Sequence, residues 1–206
     1  MRGKMIVCDG SNGAGKTTLI NSIKNFLEEN NKKVILTREP GGTLLGEKIR
    51  DMLLSSEHSN MSDTTELLLF AASRSQHIHE KIIPALNAGY YVISDRFDTS
   101  TISFQQYARG IDPKKVSLIN NIALSGFTPD LYLILDIDPL LGLHRINERN
   151  GEADKFEELD VDFLNRAREG YLEQAKNKEN YFVIDASLGQ ETVFSTAVDI
   201  IHREVL

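Results

Sequence analysis

The sequence predicts an α/β fold in which a five-stranded parallel sheet lies between two layers of helices. Five short apolar runs, at 4–9, 34–38, 90–95, 131–136 and 181–185, alternate with longer helical patterns along the 206 residues. Strands separated by helices call for the crossovers that parallel pairing needs. A glycine-rich turn, Gly10-Ser11-Asn12-Gly13-Ala14-Gly15-Lys16-Thr17, falls between the first run and the first helical pattern. No repeat, low-complexity tract or long Pro/Gly/Ser linker interrupts the series, so residues 1–206 are expected to form one domain.

The elements follow in order. The first strand, 4–9, gives way at Gly10 to the turn, and the first helix is expected to begin near Lys16. The second strand ends in Thr37-Arg38-Glu39-Pro40-Gly41-Gly42-Thr43. A long helix over 62–87 carries Leu67, Leu68, Phe70, Ala71, Ile78, Ile82 and Ile83 at three- and four-residue spacing, and Gly89 ends it before the third strand. Asp112-Pro113 and Asp138-Pro139 each set an N-cap acceptor before a proline at the first helical position, opening the helices on either side of the fourth strand. Residues 147–160 include ten charged or amide side chains, which predicts an exposed segment between the helix at Asp138 and the last helix–strand pair.

Composition narrows the function. With 23 Lys plus Arg against 30 Asp plus Glu, the net charge is −7, which argues against nonspecific nucleic-acid binding. Cys8 is the single cysteine, so neither an internal disulfide nor a cysteine metal cluster is possible. The apolar run Met5-Ile6-Val7-Cys8 is too short for a signal-peptide core or a membrane span, and a cytoplasmic setting is expected. Any anionic ligand must then be held by a local positive site.

The turn supplies one. Residues 10–17 match G-x-x-x-x-G-K-[ST] in a strand–turn–helix context. In that setting Gly10, Ser11, Asn12, Gly13, Ala14 and Gly15 turn their N–H groups around a polyphosphate, Lys16 adds a cation, the Thr17 hydroxyl can ligate Mg²⁺, and Thr18 follows in the first helical turn. The nearest guanine-reading tetrapeptide, Asn177-Lys178-Glu179-Asn180, ends in Asn where a carboxylate is needed, which disfavours a GTPase. Apolar runs ending in acid occur at Asp95 and Asp136. Asp95-Arg96 stands at a strand's C-terminal end, where such sheets bind ligands; the acid can hold a metal's water shell and the guanidinium can bridge two phosphates. Phe70 and Arg74, at i and i+4, put a stacking ring one turn from a guanidinium. His77 and His79, two apart on a helix, point to different faces and make a poor metal pair.

The phosphate loop, Thr37 to Thr43, the Phe70–Arg74 helix and the block Asp95-Arg96-Phe97-Asp98-Thr99-Ser100-Thr101-Ile102-Ser103-Phe104-Gln105-Gln106-Tyr107-Ala108-Arg109-Gly110 together resemble the bacterial thymidylate kinases, in register over nearly the whole chain. The resemblance implies a P-loop nucleoside-monophosphate-kinase core with a lid near 147–160, and transfer of a phosphoryl group from ATP–Mg²⁺ to dTMP in a homodimeric enzyme. It implies catalytic roles for Lys16, Asp95 and Arg96, a metal site at Thr17 and Asp95, and an acceptor site made of Asn12, Arg38, Pro40, Arg50, Phe70, Arg74, Arg96, Ser100, Thr101, Phe104 and Gln105. Within that set Phe70 stacks on thymine, Arg74 bonds its O4, Thr101 and Gln105 stand near its other polar edge, and Arg38, Arg50 and Arg96 gather the phosphate. Arg149 and Lys155, with Arg145 behind them, are the lid cations it implies. Two positions depart from the family: Asn12 replaces an acid that receives the sugar 3′-OH, and Phe104 replaces a tyrosine beside the sugar 2′ position. The competing readings are a related P-loop nucleotide or nucleoside kinase with another acceptor, and a nucleotide-binding protein without catalysis.

Overall fold

A computed structural model describes residues 2–58, 60–148, 160–176 and 178–206. Strands β1 (Met5–Gly10), β2 (Val34–Arg38), β3 (Tyr91–Asp95), β4 (Leu131–Asp136) and β5 (Tyr181–Asp185) pair in parallel in the order β2-β3-β1-β4-β5. The five strands expected from the sequence are thus present, with ends shifted by a residue at most. They were legible because a parallel sheet is covered on both faces, so its central strands are apolar throughout. Along β1 the pleat sends Ile6 and Cys8 into one core and Met5 and Val7 into the other.

The helices are α1 (Lys16–Glu29), α2 (Leu44–Leu54), α3 (Asp63–His77), α4 (Ile83–Asn87), α5 (Asp98–Thr101), α6 (Pro113–Leu124), α7 (Pro139–Asn147), α8 (Val161–Ala175) and α9 (Gln190–Glu204). Side chains of α1 and α9 fill the first core, and those of α4 and α8 the second. The single long helix expected over 62–87 is α3 and α4 joined by a π-helical turn, Ile78–Ile82, whose Ile78 and Ile82 are fully buried. A second π-helical stretch, Ile102–Ala108, continues α5. Asp112 and Asp138 cap α6 and α7 by accepting from Lys114 N and Leu140 N, each with proline at the start of the helix.

The register brings the chemistry to one edge. Arg38 and Cys8 both pair with Asp95, and Gly10 pairs with Leu135, so the C-terminal ends of β1, β2, β3 and β4 open on a common crevice. The phosphate loop crosses this edge and rests on α7. A Cβ on Gly13, whose φ is 74°, would lie 2.1 Å from the Gly142 carbonyl oxygen, so backbone contact dictates glycine there. Of the expected lid over 147–160, Asn147, Glu148 and Asp160 are described; Arg149 and Lys155 lie outside the described residues.

Candidate active site

A cleft of about 740 Å³ runs along this edge. Its middle is made by residues 12–18 of the phosphate loop and α1, with Asp95 at the end of β3 and Arg96 just after it. One end is walled by Pro40, Arg50, Phe70, Arg74, Thr101, Phe104 and Gln105, the other by Arg145 and residues 186–190. Neither α1 nor α9 has a side-chain cap at its N-terminus, where Gly15 and Gly189 stand, whereas Thr43, Ser62 and Asp160 cap α2, α3 and α8. Both uncapped ends line the cleft, so their first-turn N–H groups remain for an anion or a polar ligand edge.

Lys16 is the buried cation of the loop. Its Nζ donates to the carbonyl oxygens of Gly10 and Ser11 at 3.1 and 2.8 Å. Burial, aided by repulsion from Arg96, pulls its pKa from the usual 10.5 down to about 7. Beneath it Cys8 is sealed, and burial pushes its thiol up, so it serves as core.

Arg96 is the hub of the acceptor half. Its backbone is left-handed, with φ 66°, and its N–H donates to the Cys8 carbonyl. Among the described residues its partner acid is Asp9, 3.4 Å from Nη1, and not the adjacent Asp95. Nη1 also reaches Gly10 O, Ser100 Oγ and Tyr171 OH at 3.1, 3.2 and 2.9 Å, and Nη2 donates to Asn12 Oδ1. The guanidinium lies 5.4 Å from the centre of the Phe104 ring. Asp9 is fully buried and accepts from Gly10 N, Phe97 N, Thr99 Oγ1, Ser100 Oγ and Tyr171 OH. It is the knot that ties β1 to the loop after β3 and to α8.

Arg74, 1% exposed, donates from Nε to Glu39 at 2.8 Å, from Nη1 to Asn120 Oδ1 at 2.9 Å, and from Nη2 to Phe97 O and Thr101 Oγ1 at 3.1 and 3.0 Å. An arginine has five N–H donors, so one on Nη1 takes no partner among the described residues, and Arg74 lines the same cleft as Phe70. Glu39 in turn faces His77 Nδ1 at 3.0 Å, and His77 Nε2 lies 2.6 Å from Thr37 Oγ1. A carboxylate only accepts, so in the neutral ring Nδ1 carries the proton and the Thr37 hydroxyl donates to Nε2. A Cβ on Gly42 would come within 2.5 Å of that ring, which fixes glycine in this turn. His77 is buried and His79 exposed, on opposite faces as expected. Arg50 donates to Pro40 O at 2.9 Å while lining the cleft.

Most of the residues singled out in the sequence meet in this cleft. Arg38 does not line it: it is exposed, and its Nη2 donates to Glu47 Oε2 at 2.8 Å, a bond that holds the Glu47 carboxyl below its usual range. Gly10 and Ser11, the first two residues of the loop, do not line the cleft either, and their carbonyls hold Lys16. Sequence reasoning missed Asp9, Tyr171, Glu39 as a partner, Asn120 and the 186–190 wall. For Asp9 a signal existed, an acid closing a buried apolar strand. Thr17 and Asp95 both line the cleft with a hydroxyl and a carboxylate, the hard oxygens Mg²⁺ takes. Among the described residues no group of three or more His, Cys, Asp or Glu forms a metal cage.

A family model described as thymidylate kinase matches residues 8–197. The thymidylate kinase of Geobacillus sp. (strain WCH70) is 40% identical over 207 residues, covering 100% of this chain and 99% of that protein. That of Vesicomyosocius okutanii is 46% identical over 187 residues, covering 90% and 91%. Among solved structures, the thymidylate kinase from Ehrlichia chaffeensis superposes with a TM-score of 0.78 at 31% identity, covering 98% of this chain and 99% of the other.

Proposed function

The chain belongs to the thymidylate kinase family, and from that premise we propose how one nucleoside-monophosphate-kinase domain phosphorylates dTMP. The observation that carries the reading is a single cleft joining the uncapped N-terminus of α1 to the Phe70–Arg74–Gln105 wall, with Arg96 between them. ATP is the donor, its phosphates on the loop N–H groups and Lys16 and its base toward residues 186–190. dTMP lies over the end of β3 with thymine on Phe70, its O4 on the remaining Arg74 N–H, and its phosphate at Arg50 and Arg96. Arg38 is kept in this set by the resemblance alone, since its guanidinium is bonded to Glu47. Bound at Thr17 and Asp95, Mg²⁺ would neutralise phosphate charge.

In the reaction an oxygen of the dTMP phosphate forms a bond to the γ-phosphorus as the bond from that phosphorus to the β-bridging oxygen breaks, giving dTDP and ADP. No enzyme nucleophile is needed. Lys16 and Arg96 offset the charge that develops, and the fixed network around Arg96 holds donor and acceptor in line. Arg149 and Lys155 are retained as lid cations on the sequence resemblance.

An acceptor panel with coupled detection of ADP tests the assignment. dTMP should be the best substrate, and dUMP a weaker one by about 10–200-fold, the worth of one methyl group. Equal rates with dTMP, dCMP and thymidine would overturn it, and chelating Mg²⁺ should stop turnover. The ribose and 3′-deoxy analogues extend the panel to Phe104 and Asn12. Asn12 Oδ1 already accepts from Arg96, so loss of the 3′-OH should weaken binding only about 10-fold.

A homodimer is supported by apolar side chains exposed on neighbouring helices: Leu44, Leu45 and Met52 on α2, Leu68 on α3, Leu118 and Ile122 on α6. Sedimentation velocity should give twice the 23.1 kDa chain mass; a monomer at micromolar concentration would remove the proposal. A cytoplasmic setting suits a lone, fully buried cysteine, and cell fractionation would test it.

A further inference from the structure

Behind the base-facing wall of the cleft lies a charged cluster that the reading above leaves without a role. Glu66 sits on α3 four residues before Phe70 and eight before Arg74, is 1% exposed and does not line the cleft. Its Oε1 accepts from Gln105 Nε2 at 3.0 Å and from Arg109 Nε at 2.6 Å, and its Oε2 accepts from Arg109 Nη2 at 2.9 Å. Gln105 itself is 1% exposed and lines the cleft.

A glutamine side chain has two faces of opposite polarity, an oxygen that accepts and a nitrogen that donates. Which face meets a ligand depends on what holds the other. A carboxylate accepts only, so the Gln105 amide must turn its NH₂ to Glu66 and its oxygen away. Arg109, bidentate on the same carboxylate, supplies the countercharge that permits an acid at this depth. Arg109 lies 3.6 Å from Asp63 at the surface, which tethers the cluster.

We propose that Glu66 is a positioning residue for base selectivity, locking the Gln105 amide with its oxygen toward the base. The inference rests on the assignment of Gln105 to the polar edge of the base. An acceptor at that place takes the N3–H of thymine or uracil and meets the N3 lone pair of cytosine, two acceptors face to face. A site built to bond a ligand N–H rejects the analogue that lacks it far more strongly than an apolar pocket rejects a methyl group. The lock therefore discriminates dTMP from dCMP, and leaves dTMP against dUMP untouched.

The test is the ratio of kcat/KM for dTMP to that for dCMP in the full-length enzyme, in Glu66→Met, in Gln105→Leu and in the double variant. Methionine fills the space without holding the amide, so both flip states become available. The ratio should fall about 10-fold or more in Glu66→Met, with dTMP against dUMP unchanged. It should stay above one, because the Arg74 donor still opposes the cytosine amino group. In the Gln105→Leu background, Glu66→Met should leave the ratio where Gln105→Leu put it. A Glu66→Met enzyme that loses activity equally on all three nucleotides, while Gln105→Leu collapses the ratio, would make Glu66 merely structural and overturn the inference. A ratio unmoved by Gln105→Leu would instead remove the base-reading role beneath it. Should Glu66→Met not fold, Glu66→Met/Arg109→Met removes both charges together and is read by the same ratio.

Discussion

Replacing Lys16 with alanine should lower turnover by at least about 10²–10³-fold, the loss seen when a fixed transition-state donor is removed from a water-poor site, without unfolding the protein. The ammonium is buried and displaced to a pKa of about 7 by burial and by Arg96. The native state thus binds that proton less readily than the unfolded chain, whose lysine titrates near 10.5. Below pH 7 both states carry the proton, and the native state bears the whole penalty of a desolvated charge. Between about 7 and 10.5 the unfolded chain holds the proton that the native state has shed, so stability rises with pH through that window. Lys16→Ala should abolish this rise, and at pH 6 its Tm should not fall below that of the parent.

The same displacement makes the donor site a proton acceptor. A bound polyphosphate restores the charged form of Lys16, so at pH 8 nucleotide binding should take up about one proton, and affinity should decline as pH rises above 7. Calorimetry of ATP binding in two buffers of different ionisation enthalpy measures the uptake, and Lys16→Ala should show none. Turnover within 10-fold of the parent, or an uptake that survives the substitution, would sink the role given to this lysine.

What could be read in advance and what could not divide along a physical line. The strands and the phosphate loop were legible because their causes are local: burial on both faces writes an unbroken apolar run, and a backbone that must wrap an anion needs glycine at fixed spacing. Arg96 was legible as a cation at a strand end, but its acid was not. The pleat and register deliver Asp9 from the neighbouring strand, 87 residues away. Tyr171 reaches Asp9 across 162 residues, and Gln105 reaches Glu66 across 39. No periodicity encodes such contacts; the sheet order creates them. Arg38 shows the converse. Its place in a distinctive motif says nothing of Glu47, nine residues on, which draws the guanidinium out of the cleft wall.

The network around Arg96 leads to the other large effect. A non-glycine residue in the left-handed region costs roughly 1–2 kcal/mol, so φ 66° at Arg96 is strain that its surroundings impose. The bonds to Asp9, Gly10, Ser100, Tyr171 and Asn12, with the backbone bond to Cys8, are what impose it. Arg96→Ala and Arg96→Gly should both lose about 10³–10⁵ in kcat, the range for an arginine that stabilises transferring phosphoryl charge. They should part in stability. Alanine keeps the strain and loses the bonds that repaid it, whereas glycine adopts φ 66° freely, so Arg96→Gly should melt above Arg96→Ala. Arg96→Lys retains charge but not the planar fork. One ammonium cannot hold Asp9, Asn12 and Tyr171 together, and its kcat should lie closer to the alanine variant than to the parent. Steady-state kinetics with thermal melts on the three variants reads both effects. A glycine variant within 10-fold of parental kcat would mean that the left-handed turn, and not the guanidinium, is what the acceptor site requires of this position.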